Sequence, residues 1–280
     1  MPFKYITALA VCIIALSFGL SNAFSAPTPV QHYDFTTDFT DSRSLHDMYG
    51  TGSPAIDNGT LSLNGSSYLQ SANINGPAPN GITHNNFSVS GFFKAISLTG
   101  STTLFSMSHA RFSGSTWPDS VFSVTVNSDG SLKGSARATT NWQANAISGA
   151  GLVDVNEIYH FAFVYDGSNN QNRLYLNGSL VASVTHTYNE PIADYAASTD
   201  ERMYIGVINE GVEADYYRDF FNGYIDELKV YQTALSTQDV IDEYTANAHQ
   251  IPYPIAVPEP ATILLLISAV GVLLKRAKRI

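Results

Sequence analysis

The sequence predicts an all-β fold: a two-sheet antiparallel β-sandwich, or jelly roll, with one short helix near its C-terminal end. Aromatic residues occupy every second position from Tyr159 to Tyr165, the period of an extended strand, while Ala162 and Val164 keep the opposite face apolar. About a dozen short apolar runs are separated by turn residues, and helical periodicity is nearly absent. That many strands at this spacing indicate two packed sheets.

The charge of the 280-residue chain is unevenly distributed. Nine of its 14 Lys and Arg and 23 of its 24 Asp and Glu lie between the two terminal segments, so this body carries a net charge of about −14. A surface of this sign repels nucleic acid and anionic membranes, which are therefore not expected as its partners. The one cysteine, Cys12, lies in the N-terminal apolar segment, so disulfides cannot stabilise the body.

Residues 1–23 have the pattern of a secretory signal peptide. A basic residue precedes an apolar run at 6–20, and Ser21-Asn22-Ala23 is a small-x-small cleavage site. An uncleaved membrane anchor is the alternative, although the run is short for a membrane span. Residues 24–30 then lead into one β-domain, which we place at 31–246.

The strands of this domain follow one another with short turns. We predict a first strand at 32–35 and a hairpin at 59–69 around an Asn64-Gly65 turn. Residues 158–167 and 173–184 form three consecutive antiparallel strands, because Asn-Gly at 177–178 most readily takes the two positive-φ positions of a type I′ turn. Further strands are predicted at 87–94, 103–107, 121–126, 132–138, 202–206 and 224–231.

A short helix closes the domain. Ser236 is the predicted N-cap, with Asp239 three residues later. Val240, Ile241 and Tyr244 supply the apolar face of this helix.

Five segments resemble, in order and spacing, the LamG-like jelly rolls of the concanavalin A-like superfamily. The resemblance extends over about residues 31–246 and implies a β-sandwich whose first and last strands lie side by side. It does not imply one function. The segments are 59–68, 87–94, 159–167, 173–183 and 221–236.

The C-terminal segment, residues 257–280, follows a Pro-spaced linker at 247–256. Its Pro-Glu-Pro motif precedes an uncharged apolar stretch and a basic end. This order resembles a PEP-CTERM sorting signal, the bacterial tail that an exosortase reads; the resemblance assigns the motif to Pro258, Glu259 and Pro260 and implies an exosortase partner. A plain C-terminal transmembrane anchor is the alternative, with the basic end cytoplasmic by the positive-inside rule.

The sequence does not predict an enzyme. Glycosidases on a related sandwich use Glu-x-Asp-x-Glu, which places three carboxylates on one face of a strand, and no such run occurs here. Asp226 and Glu227 are adjacent and are expected on opposite faces. His160 is expected to pack or to hydrogen-bond on a strand face.

Asp34 and Asp226 are candidate ligands for Ca²⁺. Carboxylate oxygens suit this ion, and the two residues become neighbours if the first and last strands pair. Asp226 shares strand parity with Leu228 and Val230, so its carboxylate is expected to point inward, where it needs partners. Backbone N–H groups are the alternative partners, with Asp226 fastening the last strand.

Recognition is the function that the sequence favours. Trp117, Trp142 and Tyr216 lie in predicted loops where their rings can stack on sugars, although most of the 33 aromatic residues must form the core. We therefore predict an exported bacterial surface or matrix protein that binds extracellular polysaccharide or a matrix protein. A structural matrix protein without a defined ligand and a polysaccharide-active enzyme are the alternatives.

Overall fold

The computed structural model describes residues 27–43, 46–72, 85–109, 120–137, 143–186, 201–209, 216–246 and 248–251. Within these ranges, seventeen strands form two large antiparallel sheets and a small ribbon, and one short helix follows the last strand. The prediction of a two-sheet β-sandwich with a short helix near the C-terminal end is confirmed.

The elements are β1 (Gln31–Tyr33), β2 (Met48–Thr51), β3 (Ala55–Asp57), β4 (Thr60–Asn64), β5 (Tyr68–Ser71), β6 (Asn86–Ala95), β7 (Thr102–His109), β8 (Ser120–Val126), β9 (Leu132–Arg137), β10 (Gln143–Ile147), β11 (Ile158–Asp166), β12 (Gln171–Leu176), β13 (Ser179–Thr185), β14 (Glu201–Ile205), β15 (Ile208–Asn209), β16 (Tyr217–Arg218), β17 (Asn222–Tyr231) and α1 (Thr237–Ala246). Sheet A has the order β13-β12-β11-β6-β17-β4-β3, with β1 also paired to β17. Sheet B has the order β10-β9-β8-β7-β14-β5-β2, and β15 pairs with β16 in the ribbon.

Strands β6 and β11 pair in the middle of sheet A and are covered on both faces. Phe93, Phe161 and Phe163 belong to the main core between the sheets. On the opposite face, Ala162 and Val164 pack in a second apolar cluster that includes side chains of the helical region. The predicted two-sided burial of the central strand is confirmed.

One predicted Asn-Gly turn is confirmed and another has a different role. Asn177 and Gly178 have φ values of 49° and 75°, as the type I′ turn between β12 and β13 requires. The predicted 59–69 hairpin is wrong, because β4 belongs to sheet A and β5 to sheet B. The Asn64-Gly65 turn therefore carries the chain from one sheet to the other, and the hairpin in this region joins β3 to β4.

Strand β17 holds the two ends of the domain together and contains a bulge. It pairs with β1, as the resemblance implies, and with β6 on its other side. The register against β6 shifts between Asp226 and Lys229, where Glu227 has a φ of 49°. Because Ile225 and Leu228 both enter the main core, the bulge places Asp226 opposite Phe92 on the outer face. Asp226 is buried with hydrogen-bond partners, as expected, but it lies on the outer face of sheet A and not in the core between the sheets, because the bulge changes its parity relative to Leu228.

The predicted helix cap is confirmed. The backbone N–H and the hydroxyl of Ser236 donate to Asp239 Oδ2 at 2.8 and 2.7 Å, and the Asp239 N–H donates back to Ser236 Oγ at 3.2 Å. Val240 is fully buried, so this end of α1 is fixed against the outer face of sheet A.

Gly134 of β9 generates a stability prediction. A Cβ atom at this position would lie 2.4 Å from a ring carbon of Phe163, which crosses from sheet A. We expect Gly134→Ala to lower the free energy of unfolding by about 1–3 kcal/mol, because the ring or the sheets must shift. Urea denaturation measures the change.

Gly149→Ala is the matched control, since nothing lies within 4 Å of a Cβ atom there and Gly149 has no positive φ. Equal losses in the two variants would contradict the packing argument.

Candidate functional site

A cavity on the outer face of sheet A begins with two paired strand positions. His160 of β11 lies opposite Phe92 of β6, whereas their neighbours Phe93 and Phe161 point into the core. The His160 and Phe92 ring centroids are 4.9 Å apart. The alternation that builds the core therefore also presents an imidazole and a phenyl ring on the outer face.

Two C-terminal rings close over this pair. Tyr244, in the last turn of α1, has its ring centroid 6.0 Å from that of His160. The ring of His249, which follows the helix, lies 4.7 Å from that of Phe92. Gly178 of the β12–β13 turn leaves room for Tyr244, since a Cβ atom there would lie 3.1 Å from the tyrosine ring.

The four rings surround a cavity of about 140 Å³, and Glu157, Ile158 and Asn177 complete its lining. This volume is roughly ten times the 10–15 Å³ that one water molecule needs, so the cavity can accept a single small ring. Glu157 and Tyr244 are exposed, whereas His160 is 1 % exposed. The cavity thus has a buried polar floor and an accessible rim.

His160 is neutral and has an unused polar atom. Burial lowers the pKa of its imidazole to about 3, and the positive charge of Lys229 acts in the same direction. Its backbone N–H donates to Asn177 Oδ1 at 2.9 Å, and its carbonyl accepts from the Asn177 N–H at 2.8 Å. The buried Nδ1 atom, by contrast, has no hydrogen-bond partner in the described part of the chain. A neutral imidazole offers one donor and one acceptor, so the packing of this ring leaves part of its hydrogen-bonding capacity unused.

The positive charge of Lys229 is shared by two carboxylates. Its Nζ atom lies 2.7 Å from Glu243 Oε2 and 3.5 Å from Glu227 Oε2. The Tyr231 hydroxyl donates to Glu243 Oε1 at 2.8 Å, and His32 Nε2 lies 2.9 Å from Glu227 Oε2. This network fastens α1 and β1 to β17 and holds Lys229 beside two carboxylates.

Asp226 lies beside this network and is 1 % exposed. The Glu227 N–H donates to its Oδ1 at 2.9 Å, and the Gln250 N–H donates to its Oδ2 at 2.5 Å. Burial raises the pKa of Asp226 to about 7; the charges of Glu227 and Asp34 raise it further, while the two N–H bonds oppose the change. Asp226 therefore fastens the segment that carries His249 to the last strand. This is the alternative role predicted from the sequence, in which backbone N–H groups are the partners of Asp226.

Asp34 directly follows β1, and its Oδ1 accepts a hydrogen bond from the Thr36 N–H at 3.0 Å. Its negative charge acts on Asp226, so the pairing of β1 with β17 does bring the two predicted ligands near each other. Among the residues with described positions, no three His, Cys, Asp or Glu side chains form a group that could hold a metal ion. The Ca²⁺ site at Asp34 and Asp226 stays a prediction.

Of the three predicted sugar-stacking residues, Tyr216 lies within the described ranges and Trp117 and Trp142 lie outside them. Tyr216 is 58 % exposed, and the ring of its neighbour Tyr217 stacks on Tyr68 at 4.8 Å. Its ring is therefore held at the surface next to a buried aromatic cluster.

The strands that flank these residues meet at one end of sheet B. The end of β7, the start of β8, the end of β9 and the start of β10 all lie there. Ser108 Oγ donates to the Asn209 carbonyl at 2.6 Å, which places the β15–β16 ribbon at the same end. The cavity lies on sheet A, so these strand ends belong to the other sheet.

The predicted terminal signals also lie outside the described ranges: the signal peptide at 1–23, and the tail with Pro258, Glu259 and Pro260. In the part of the chain that the structure describes, no helix is long and apolar enough to cross a membrane. Export, exosortase sorting and anchoring stay predictions.

The sequence pattern does not identify the cavity. The expected packing of His160 is observed against Phe92, but its unpartnered Nδ1 atom depends on residues far away in the chain. Strand parity is the one available signal, because it places His160 on the face opposite Phe161. No spacing rule connects that position to Tyr244 or His249.

Comparison with solved structures shows the sandwich fold in several proteins. The receptor-binding domain of botulinum neurotoxin type G has a TM-score of 0.56 and 14% identity, and the match covers 79% of this chain and 52% of that chain. Domain 4 of AbnA, a GH43 extracellular arabinanase from Geobacillus stearothermophilus in complex with arabinotriose, has a TM-score of 0.51 and 20% identity, with 77% and 97% covered. The CBM40 of the Ruminococcus gnavus IT-sialidase, bound to α2,3-sialyllactose, has a TM-score of 0.50 and 18% identity, with 66% and 96% covered.

These identities show likeness of fold alone, and the chain spans about half the length of the neurotoxin domain. A search of proteins with curated functions finds no match. A family model described as the concanavalin A-like lectin/glucanases superfamily, Laminin_G_3, matches residues 63–241. Because this match extends over more than half of the 280 residues, the chain belongs to that family.

Proposed function

We propose that the domain is a non-catalytic carbohydrate-binding module and that the cavity on sheet A receives one sugar ring. The observation that carries this proposal is the cavity of about 140 Å³ on the outer face of sheet A, with the rings of Phe92, Tyr244 and His249 in its lining. Phe92 and Tyr244 offer apolar rings to a sugar, and Asn177 and Glu157 offer polar groups to its hydroxyls.

Family membership supports this proposal. The family groups lectins with glucanases, and two of the structural neighbours are described in complex with arabinotriose and α2,3-sialyllactose. The acidic body, at about −14, favours neutral or cationic glycans over anionic ones.

The cavity lining favours binding over hydrolysis. Glycosidases place two carboxyl groups on either side of the scissile bond, roughly 5–9.5 Å apart. Glu157 is the one carboxylate among the seven described residues that line the cavity. A polysaccharide-active enzyme would need a second carboxyl group there.

We also propose that the protein is exported and sorted. Residues 1–23 direct secretion, and an exosortase reads the tail through Pro258, Glu259 and Pro260, so that the domain is displayed on the surface or in the extracellular matrix. The order of motif, apolar stretch and basic end supports this proposal. A tail that stays as a membrane anchor is the alternative.

A glycan array probed with the full-length chain tests carbohydrate binding. We expect binding to at least one glycan class, and we expect Tyr244→Leu to weaken it about tenfold, since the variant keeps apolar bulk but loses the ring face. Tyr216→Ala is the matched control on sheet B and should leave the affinity unchanged.

The reverse result, with Tyr216→Ala weakening binding and Tyr244→Leu without effect, would move the site to the end of sheet B. Absence of binding to any glycan would favour the structural matrix protein. Release of shortened glycans during incubation would favour the enzyme.

Mass spectrometry of the mature protein from its native host tests the terminal signals. We expect the N-terminus near Phe24 and a C-terminus that lacks the basic end, because both signals are removed during processing. An intact Ile280 in surface material would contradict sorting by cleavage.

The raised pKa of Asp226 gives a pH-dependent prediction. An Asp in the unfolded chain titrates near 3.9, so between about pH 4 and 7 the folded protein holds a proton that the unfolded chain has lost. The free energy of unfolding therefore falls as the pH rises through this window, by up to about 1.4 kcal/mol per pH unit from this group. Asp226→Asn removes this contribution, so the variant should become progressively less destabilised, relative to the wild type, from pH 4 to 7 in urea denaturation.

Asp154→Asn, on an exposed loop, should keep the wild-type pH dependence. The same variants test the Ca²⁺ prediction: a ligand role for Asp226 requires a larger loss of melting temperature in Ca²⁺ than in chelator. Equal losses would leave its backbone contacts as its role.

A further inference from the structure

Glu157 is the one acidic or basic residue, histidines aside, among the seven described residues that line the cavity. Glu157 is exposed at the rim and has no ion-pair or hydrogen-bond partner within the described ranges. Burial lowers the pKa of both His160 and His249, so the two imidazoles are neutral at physiological pH. Lys229, the cation that acts on His160, is shared by Glu227 and Glu243. Among the lining residues with described positions, Glu157 thus contributes a negative charge and none is a Lys or Arg.

The aromatic rings in the cavity lining also favour a cationic ligand. Phe92 and Tyr244 have ring faces that carry partial negative charge, and their centroids lie 4.9 and 6.0 Å from that of His160. A cation within about 6 Å of such faces is attracted to them, more strongly when it is partly desolvated. An ammonium group carries three donors, and the Glu157 carboxylate in the lining can accept from them.

We propose that the cavity selects a glycan residue that bears a free amino group, such as a hexosamine without its N-acetyl group. This inference rests on the proposed carbohydrate binding and names the class of sugar. The ammonium group lies against the aromatic rings, with the Glu157 carboxylate as its acceptor, and Asn177 is placed to meet a hydroxyl. The charge of about −14 on the body draws a cationic polymer to the surface. Anionic sugars meet Glu157 and are rejected.

Three ligands with the same backbone isolate the amino group: the β-1,4-linked tetramers of glucosamine, N-acetylglucosamine and glucose. They differ at C2 alone, which carries an ammonium, an acetamide or a hydroxyl. Isothermal titration with the full-length chain should give an affinity for the glucosamine tetramer about tenfold above that for the other two.

Two isosteric variants with the same change in net charge assign the preference to the cavity. Glu157→Gln removes the rim carboxylate and should weaken binding of the glucosamine tetramer about five- to tenfold, with binding of any neutral tetramer unchanged. Asp154→Asn, on the same exposed loop but outside the lining, should have no effect. Equal weakening by both variants would show attraction by the acidic surface in general and would overturn the site.

Failure of this inference is distinguishable from failure of the proposed function. Equal affinity for the three tetramers, or tighter binding of a neutral one, overturns selection of the amino group and leaves carbohydrate binding in place. If the chain binds other glycans on the array but none of the three tetramers, selection of the amino group is also overturned and carbohydrate binding is kept. No binding of any glycan overturns both.

Discussion

Burial of β6 and β11 on both faces is the constraint on which the rest of the domain depends. One face packs against sheet B through a layer of aromatic side chains, and the other must be removed from water by something outside the two sheets. Helix α1 and residues 248–251 supply that cover. The cavity lies where the cover passes over His160 and Phe92, so the site arises from the way in which the core is closed.

The bulge in β17 lets this strand contribute both to the main core and to the contacts that hold the C-terminal cover. Ile225 and Leu228 are three positions apart, yet both side chains enter the main core. In a regular strand, residues three positions apart point to opposite faces. The extra residue, Glu227, adopts a positive φ, and its carboxylate joins the network with Lys229 and His32. Asp226 is turned outward and binds the Gln250 N–H. Local backbone irregularity thus links the core to the cover.

Features that depend on local chemistry could be predicted from the sequence. The period of β11, the Asn177-Gly178 turn and the cap at Ser236 and Asp239 each involve residues close together in the chain, and all are confirmed. The incorrect predictions depend on distant partners. An Asn-Gly pair has the same local preference whether it joins two paired strands or two sheets, and a bulge in β17 is set by its register with β6. The cavity has the same limitation, because its rings come from β6, β11, α1 and the segment after it.

Residues 248–251 contribute to more than one part of the domain. The chain leaves the described part of the domain at Ile251, which is buried, two residues after His249 in the cavity wall. Gln250, between these two residues, donates its backbone N–H to Asp226 of β17. One short segment therefore contributes to the cavity wall, to apolar packing and to the attachment of the last strand. A substitution that shifts this segment would alter all three together.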